Sequence, residues 1–198
     1  MIARIVDETL HGPVEEVFVV TGPESGGIRE ALADRPVTFV TNSDIESEML
    51  ASVRCGLRAL PGKCAATLVV LGDQPGLTSG LISLLTQAFH TAGRGLVLPS
   101  HAGKRGHPPL ISIKYRDEIL ARYDETGLRG LFNAHPKDVF EVELPASEIF
   151  EDMDYPEDYR RIAARHVCHG KTSVQTAQRA KDASSADYLV QAHRRQEL

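Results

Sequence analysis

The chain has 198 residues, of which 42% are hydrophobic and 25% charged, and its formal net charge is −5. A chain of this length and composition can bury one well-packed core. The net negative charge provides no general attraction for nucleic acid, and no apolar run approaches the roughly 20 residues that a membrane-spanning helix needs. Composition therefore argues against nucleic acid and membrane as partners.

The cysteines and the first residues of the chain bear on the compartment. Cys55, Cys64 and Cys168 are an odd number without CxxC spacing. A basic stretch followed by an apolar signal core is not found at the N-terminus. Both observations favour a cytoplasmic protein with reduced thiols.

Helical and strand patterns alternate along the first third of the chain. Apolar residues at helical spacing predict a helix over 2–10, and an apolar run predicts a strand over 17–20. A short helix over 28–33 and a strand over 37–40 follow. Ser43 and Glu46 form a capping box that predicts the start of the next helix. We expect its buried stripe to contain Ile45, Met49, Val53, Leu57 and Leu60.

The same alternation continues through the rest of the chain. A buried strand ends at Leu71, and a helix starting near Thr78 is expected to face inward with Leu81, Leu84, Leu85 and Phe89. The later predicted elements are strands over 95–99, 110–113 and 139–144, helices near 115–123 and 128–134, and a helix that begins at Pro156. This pattern predicts an α/β fold with a mainly parallel sheet and helices on both faces.

The composition changes near the end of the chain. Residues 168–198 are mostly polar, and residues 188–190 are their only apolar cluster. We therefore predict one domain over 1–167, followed by a polar C-terminal tail or a fragment of an appended domain.

An aspartate interrupts the most apolar strand of the sequence. Asp73 follows Leu71 and Gly72, and in open α/β sheets ligands gather outside the carboxyl ends of the strands. A turn-capping role is equally compatible with this position. Asp152 and Asp154 precede the predicted helix at Pro156, where helix capping is the simpler interpretation. Considered together, these carboxylates suggest a hard cation such as Mg²⁺, which proteins hold with one or two carboxylates plus water and phosphate oxygens.

A compact cationic loop follows the strand predicted over 95–99. Lys104, Arg105 and His107 lie in it beside glycines that let a ligand approach the backbone. Phosphate binding and an ordinary solvated hairpin are both compatible with this composition. Ser52 and Arg54 lie beside the apolar stripe of their helix, as surface residues or as ligand contacts.

Several motifs, in series, carry a family resemblance. They are Asn42-Ser43-Asp44, MLASVRCGLRAL, VVLGDQPGLT, VLPSHAGKRGHPPLIS, GLRGLFNAHP and DMDYPEDYRR. In order and spacing they resemble the MobA-like nucleotidyltransferases, chiefly the molybdenum-cofactor cytidylyltransferase branch. The resemblance implies a Rossmann-like nucleotidyltransferase sheet and transfer of CMP or GMP from CTP or GTP to a phosphorylated pterin, with release of pyrophosphate. It also implies Mg²⁺ as the cofactor, and a homo-oligomer or a molybdoenzyme as a protein partner.

The resemblance also suggests roles for individual residues. Asp73 and Asp154 resemble the catalytic Mg²⁺ ligands, and Ser52 resembles the nucleotide-contacting serine of its helix. Gly72 belongs with Asp73 to the nucleotide-binding segment. The substrate-binding positions implied by the matching motifs are Asn42, Lys104, Arg105, Gly106 and His107.

One family motif has no counterpart in the sequence. Family members begin with a strand and a glycine-rich loop of the form LAAGxSxRMGxPK, which this chain lacks. We expect the first strand of the sheet to be missing, its open neighbours to need covering, for example by a second subunit, and catalysis to be impaired. A non-catalytic nucleotide- or pterin-binding module and a nucleotidyltransferase for a sugar- or isoprenoid-phosphate acceptor remain alternatives. The choice between CTP and GTP also stays open.

Overall fold

Helices and strands alternate along the part of the chain that the computed structural model describes, which is residues 1–44, 48–144 and, for its backbone, 188–195. The helices are α1 Ile2–His11, α2 Gly26–Ala31, α3 Met49–Ala59, α4 Ser79–Ala92, α5 Arg116–Ala121 and α6 Leu128–Ala134. The strands are β1 Glu16–Thr21, β2 Val37–Thr41, β3 Cys64–Leu71, β4 Leu96–His101, β5 Lys104–Arg105, β6 Leu110–Ser112, β7 Val139–Glu143 and β8 Tyr188–Arg195. No helix among these residues is long and apolar enough to cross a membrane.

All the described strands form one sheet. Their order is β2-β1-β8-β3-β6-β4-β5, and β7 pairs with β4. The pairs β1–β2 and β4–β7 are parallel and the other pairs are antiparallel. As a result β1, β2, β3, β4 and β7 point the same way, and their carboxyl ends lie at one edge of the sheet.

Each face of the sheet carries its own core because successive strand residues point to opposite faces. Val17 and Val19 belong to the cluster that packs against α1 and α4. Phe18 and Val20 belong to the cluster that packs against α3, α5 and α6. This arrangement confirms the predicted α/β class with helices on both faces.

The last strand of the chain lies in the middle of the sheet. β8 pairs with β1 from Thr21↔Tyr188 to Glu16↔His193, and with β3 along its other side. It therefore separates two strands that point the same way and runs antiparallel to both. In the described chain β8 thus covers the facing edges of β1 and β3. A second subunit stays a prediction. The predicted domain boundary at residue 167 lies outside the described residues and stays a prediction.

The start of α3 differs from the prediction. The helix begins at Met49, after Glu48, so Ser43 is not its cap. Asn42 Oδ1 instead accepts a hydrogen bond from the Asp44 amide at 3.2 Å. A side chain that bonds the backbone two residues ahead stabilises a turn in competition with a helix start. Ile45, Glu46 and the helix predicted at Pro156 lie outside the described residues.

Two residues predicted to be buried are exposed, and a residue one or two positions away is buried instead. Met49 and Leu84 are each 39% exposed, whereas Leu50 and Ile82 are buried. Both exposed residues belong to apolar runs in which helical spacing permits more than one stripe. The positions that face the sheet were settled by how each helix packs. Val53, Leu57, Leu60, Leu81 and Leu85 are buried as predicted.

Candidate functional site

Asp73 lies directly beyond the carboxyl end of β3. Its side chain is partly exposed, while its neighbours Gly72 and Gln74 are buried. Gln74 Nε2 donates a hydrogen bond to the His107 carbonyl at 2.7 Å. The structure thereby brings the Asp73 loop against the loop that carries His107, as the shared edge of the sheet requires.

Helix α1 holds the Asp73 loop from the other side. Arg4 donates from its guanidinium to the Pro75 carbonyl at 2.7 Å, and the Ser79 amide donates to Glu8 Oε2 at 2.8 Å. Arg4 and Glu8 are one helical turn apart and so face the same way. Sequence reasoning missed these contacts because nothing in the pattern of α1 indicates which loop it will meet.

The cationic loop is a short hairpin between β4 and β5. Ala102 and Gly103 form its turn with φ values of 49° and 77°, in the left-handed region that favours glycine. The Glu143 carboxylate accepts hydrogen bonds from the Ser100 hydroxyl and the Ala102 amide, both at 2.8 Å. These bonds lower the pKa of Glu143 below its ordinary value because they favour the ionised form.

The two cations of the hairpin differ in their partners. Arg105 forms an ion pair with Glu141 of β7, with Nε and Oε1 2.7 Å apart. Lys104 is exposed and forms no ion pair with a residue that the structure describes. An anionic ligand could therefore bind the Lys104 ammonium directly, whereas the charge of Arg105 is already partly offset by Glu141.

Asn42 and Ser52 are in direct contact at another part of the edge. Asn42 follows β2, its amide donates to the Thr21 carbonyl at 2.8 Å, and its side chain is buried. Because Asn42 Oδ1 accepts from Asp44, its Nδ2 must be the group that faces Ser52 Oγ, 3.2 Å away. Ser52 therefore accepts from Asn42, and because its hydroxyl is seen to bond no other described residue, it can offer its own proton to a ligand.

Two groups of predicted residues remain, Arg54 on α3 and the acidic pair Asp152 and Asp154. Arg54 donates to the carbonyls of Ile119 and Arg122 and forms an ion pair with Asp124, so it supports the chain around α5. Asp152 and Asp154 lie outside the described residues. Among the residues that are described, no three His, Cys, Asp or Glu side chains form a ready metal cluster.

The described parts of the site extend along the carboxyl edge of the sheet. Asn42 follows β2 and Asp73 follows β3, and β1 and β8 lie between those strands. Three strand spacings correspond to about 14 Å. β7 ends at this same edge and β8 begins there. These two strands are the described elements that flank Asp154 in the sequence.

Comparison with known proteins identifies the family and the fold. Residues 1–139 match the family described as the MobA-like NTP transferase domain. The chain belongs to this family. The molybdenum cofactor cytidylyltransferase of Escherichia coli (strain K12) is 28% identical over 154 residues, which cover 76% of each protein. The MobA-like resemblance is thus confirmed, and the protein is a nucleotidyltransferase.

Solved structures agree with the MobA-like assignment at the level of fold. Rv0371c from Mycobacterium tuberculosis H37Rv aligns with a TM-score of 0.70 at 20% identity, covering 82% of each chain. Its manganese complex aligns with a TM-score of 0.66 at 20% identity, covering 80% of this chain and 85% of that one. A nucleotidyl transferase from Methanothermobacter thermautotroptrophicus has a TM-score of 0.69 at 22% identity, covering 86% and 82%. These structures confirm the Rossmann-like nucleotidyltransferase fold.

Proposed function

We propose that this protein transfers CMP from CTP to the phosphate of a molybdopterin-type pterin and releases pyrophosphate. The cytidylyltransferase from Escherichia coli that resembles it supports CTP over GTP as the donor. The single observation that carries the proposal is the hydrogen bond from Gln74 to the His107 carbonyl, because it joins the Asp73 loop to the cationic hairpin. This contact supports a site in which the Asp73 carboxylate binds the metal and the cations Lys104 and Arg105 bind phosphate.

A divalent metal fits the residues at this edge. Asp73 offers a partly exposed carboxylate, the hard oxygen donor that Mg²⁺ prefers, and Mg²⁺ is commonly bound through only one or two carboxylates. We propose Asp73 and Asp154 as its ligands, and the manganese complex of Rv0371c supports a divalent ion in this fold. When bound, the metal would neutralise charge on the reacting phosphates.

The described side chains would position the substrates rather than react with them. Nucleotidyl transfer needs no covalent intermediate on the enzyme if the acceptor phosphate is held in line with the α-phosphate. Lys104 and Arg105 would offset the charge of the acceptor phosphate, with Gly106 and His107 beside them on the acceptor side. Ser52 would donate its free hydroxyl proton to the nucleotide.

The proposal is tested by measuring pyrophosphate release from purified protein with Mg²⁺. CTP and GTP are each offered with a pterin phosphate, a sugar phosphate and an isoprenoid-type phosphate. Release only with CTP and the pterin is the expected result. Release only with another acceptor would move the protein to a different nucleotidyltransferase reaction, and nucleotide binding without any release would favour a non-catalytic binding module.

The contact between Asn42 and Ser52 leads to a testable prediction. Ser52→Ala should raise the KM for CTP by about 10-fold or more, because a hydrogen bond to a charged group contributes about 1.5–3 kcal/mol. Asn42→Asp should have a similar effect. A carboxylate can only accept hydrogen bonds, so the Ser52 hydroxyl would donate its proton to the new carboxylate and no longer to the nucleotide. The double variant should be no worse than either single one. Additive losses, measured from steady-state kinetics, would show that the two residues act separately.

A further inference from the structure

We propose that Gln74 is a positioning residue that holds the Lys104–His107 segment at the correct place beside Asp73 and so sets the affinity for the acceptor phosphate. This inference rests on the proposed function, in which that segment lines the acceptor side. Gln74 was not among the residues predicted from the sequence. The motif around it drew attention to the neighbouring aspartate instead.

The Gln74 side chain is well suited to fix a backbone position. It is 3% exposed, and its Nε2 lies 2.7 Å from the His107 carbonyl oxygen. A buried amide cannot readily exchange its partner for water, so breaking this bond would leave a polar group unsatisfied. Its Oε1 has no hydrogen-bond partner among the described residues. Gln74 therefore acts through its Nε2 donor, which bonds the His107 carbonyl.

Three hydrogen bonds with described residues hold the loop that follows the hairpin. The Gly106 amide donates to the Pro99 carbonyl of β4 at 2.8 Å, and the Val69 amide of β3 donates to the Pro109 carbonyl at 2.9 Å. These two bonds join backbone to backbone. Gln74 supplies the third bond from its side chain, and Gln74 is next to Asp73 in the sequence.

The Gln74 segment is itself anchored to the rest of the fold. Arg4 of α1 bonds the Pro75 carbonyl, and Pro75 is buried. Gln74 therefore transmits the position of a fixed loop to the His107 backbone. Loss of its donor should let the Lys104–His107 segment shift while Asp73 keeps its place at the end of β3. We expect acceptor binding to weaken and CTP binding to persist.

Two variants of Gln74 separate a hydrogen-bond role from a packing role. Gln74→Met keeps the length of the side chain and removes the donor. Gln74→Leu also removes the donor but changes the shape of the side chain. If the hydrogen bond is what matters, both variants should raise the KM for the pterin phosphate about 10-fold, with the dissociation constant for CTP within about twofold of the parent.

The controls use the same protein and the same chemical change. Gln87→Met alters an exposed glutamine on α4 and should leave the kinetics unchanged. Thermal melting checks that each variant is folded. Equal losses in CTP and acceptor binding, or an acceptor KM that rises in Gln74→Leu but stays at the parent value in Gln74→Met, would overturn the positioning role.

A second measurement does not depend on turnover. Amide hydrogen exchange over residues 103–107 should be faster in Gln74→Met than in the parent, while exchange over β3 stays the same. Unchanged exchange in the hairpin would overturn the inference even if the enzyme is active. If the parent releases no pyrophosphate with any acceptor, the proposed function fails, and the exchange result still decides whether Gln74 holds the loop.

Discussion

Replacing Asp73 with asparagine should abolish metal-dependent CTP binding and reduce turnover by a factor on the order of 10³, since a catalytic metal contributes several kcal/mol. Asparagine has nearly the shape of aspartate but carries no charge, so it offers the metal a much weaker ligand. Asp73 is partly exposed at the end of β3, and the fold should therefore tolerate the change. CTP binding is measured by titration calorimetry with and without Mg²⁺, and turnover by pyrophosphate release.

A matched control for this variant is available on α5. Asp117 is exposed in the first turn of that helix, and Asp117→Asn makes the same chemical change away from the carboxyl edge. It should leave metal-dependent binding and turnover unchanged. If Asp73→Asn binds CTP and Mg²⁺ as tightly as the parent protein, Asp73 is not the metal ligand and the site must lie elsewhere.

Placing a proline in the middle of β8 should destabilise the whole domain. Val190 pairs with Val19 of β1 and Val70 of β3, so its residue position lies between two buried strands. Proline removes the backbone N–H and is excluded from central strands. We expect Val190→Pro to cost on the order of 3 kcal/mol or more of unfolding free energy, measured by urea denaturation.

The comparison variant for β8 is Val190→Ala, which shortens the side chain and keeps the backbone donor. It should cost clearly less than the proline variant if the strand ladder is what matters. Equal stability of the two variants would contradict a central place for this strand. A lower unfolding free energy with a single cooperative transition would show that β8 belongs to the same folding unit as β1 and β3.

The local patterns of the sequence determined most of the elements and the direction of their buried faces. The apolar runs of β1 and β3 predicted strands, with β3 buried on both faces, and the alternation of strands and helices predicted the α/β class. The serial motifs identified the MobA-like family, and the position of Asp73 after β3 followed from the strand pattern alone. These inferences succeeded because they depend on neighbours within a few residues.

The tertiary structure decided which distant segments meet. Residues 188–195 have too few apolar positions to indicate a central strand, and their place follows from the paired edges of β1 and β3. The turn at Asn42 displaced the predicted start of α3 because a side-chain hydrogen bond competes with helix formation there. Gln74 and His107 meet across 33 residues of sequence. Such contacts depend on how sheets and loops pack in three dimensions, and no local period in the sequence records them.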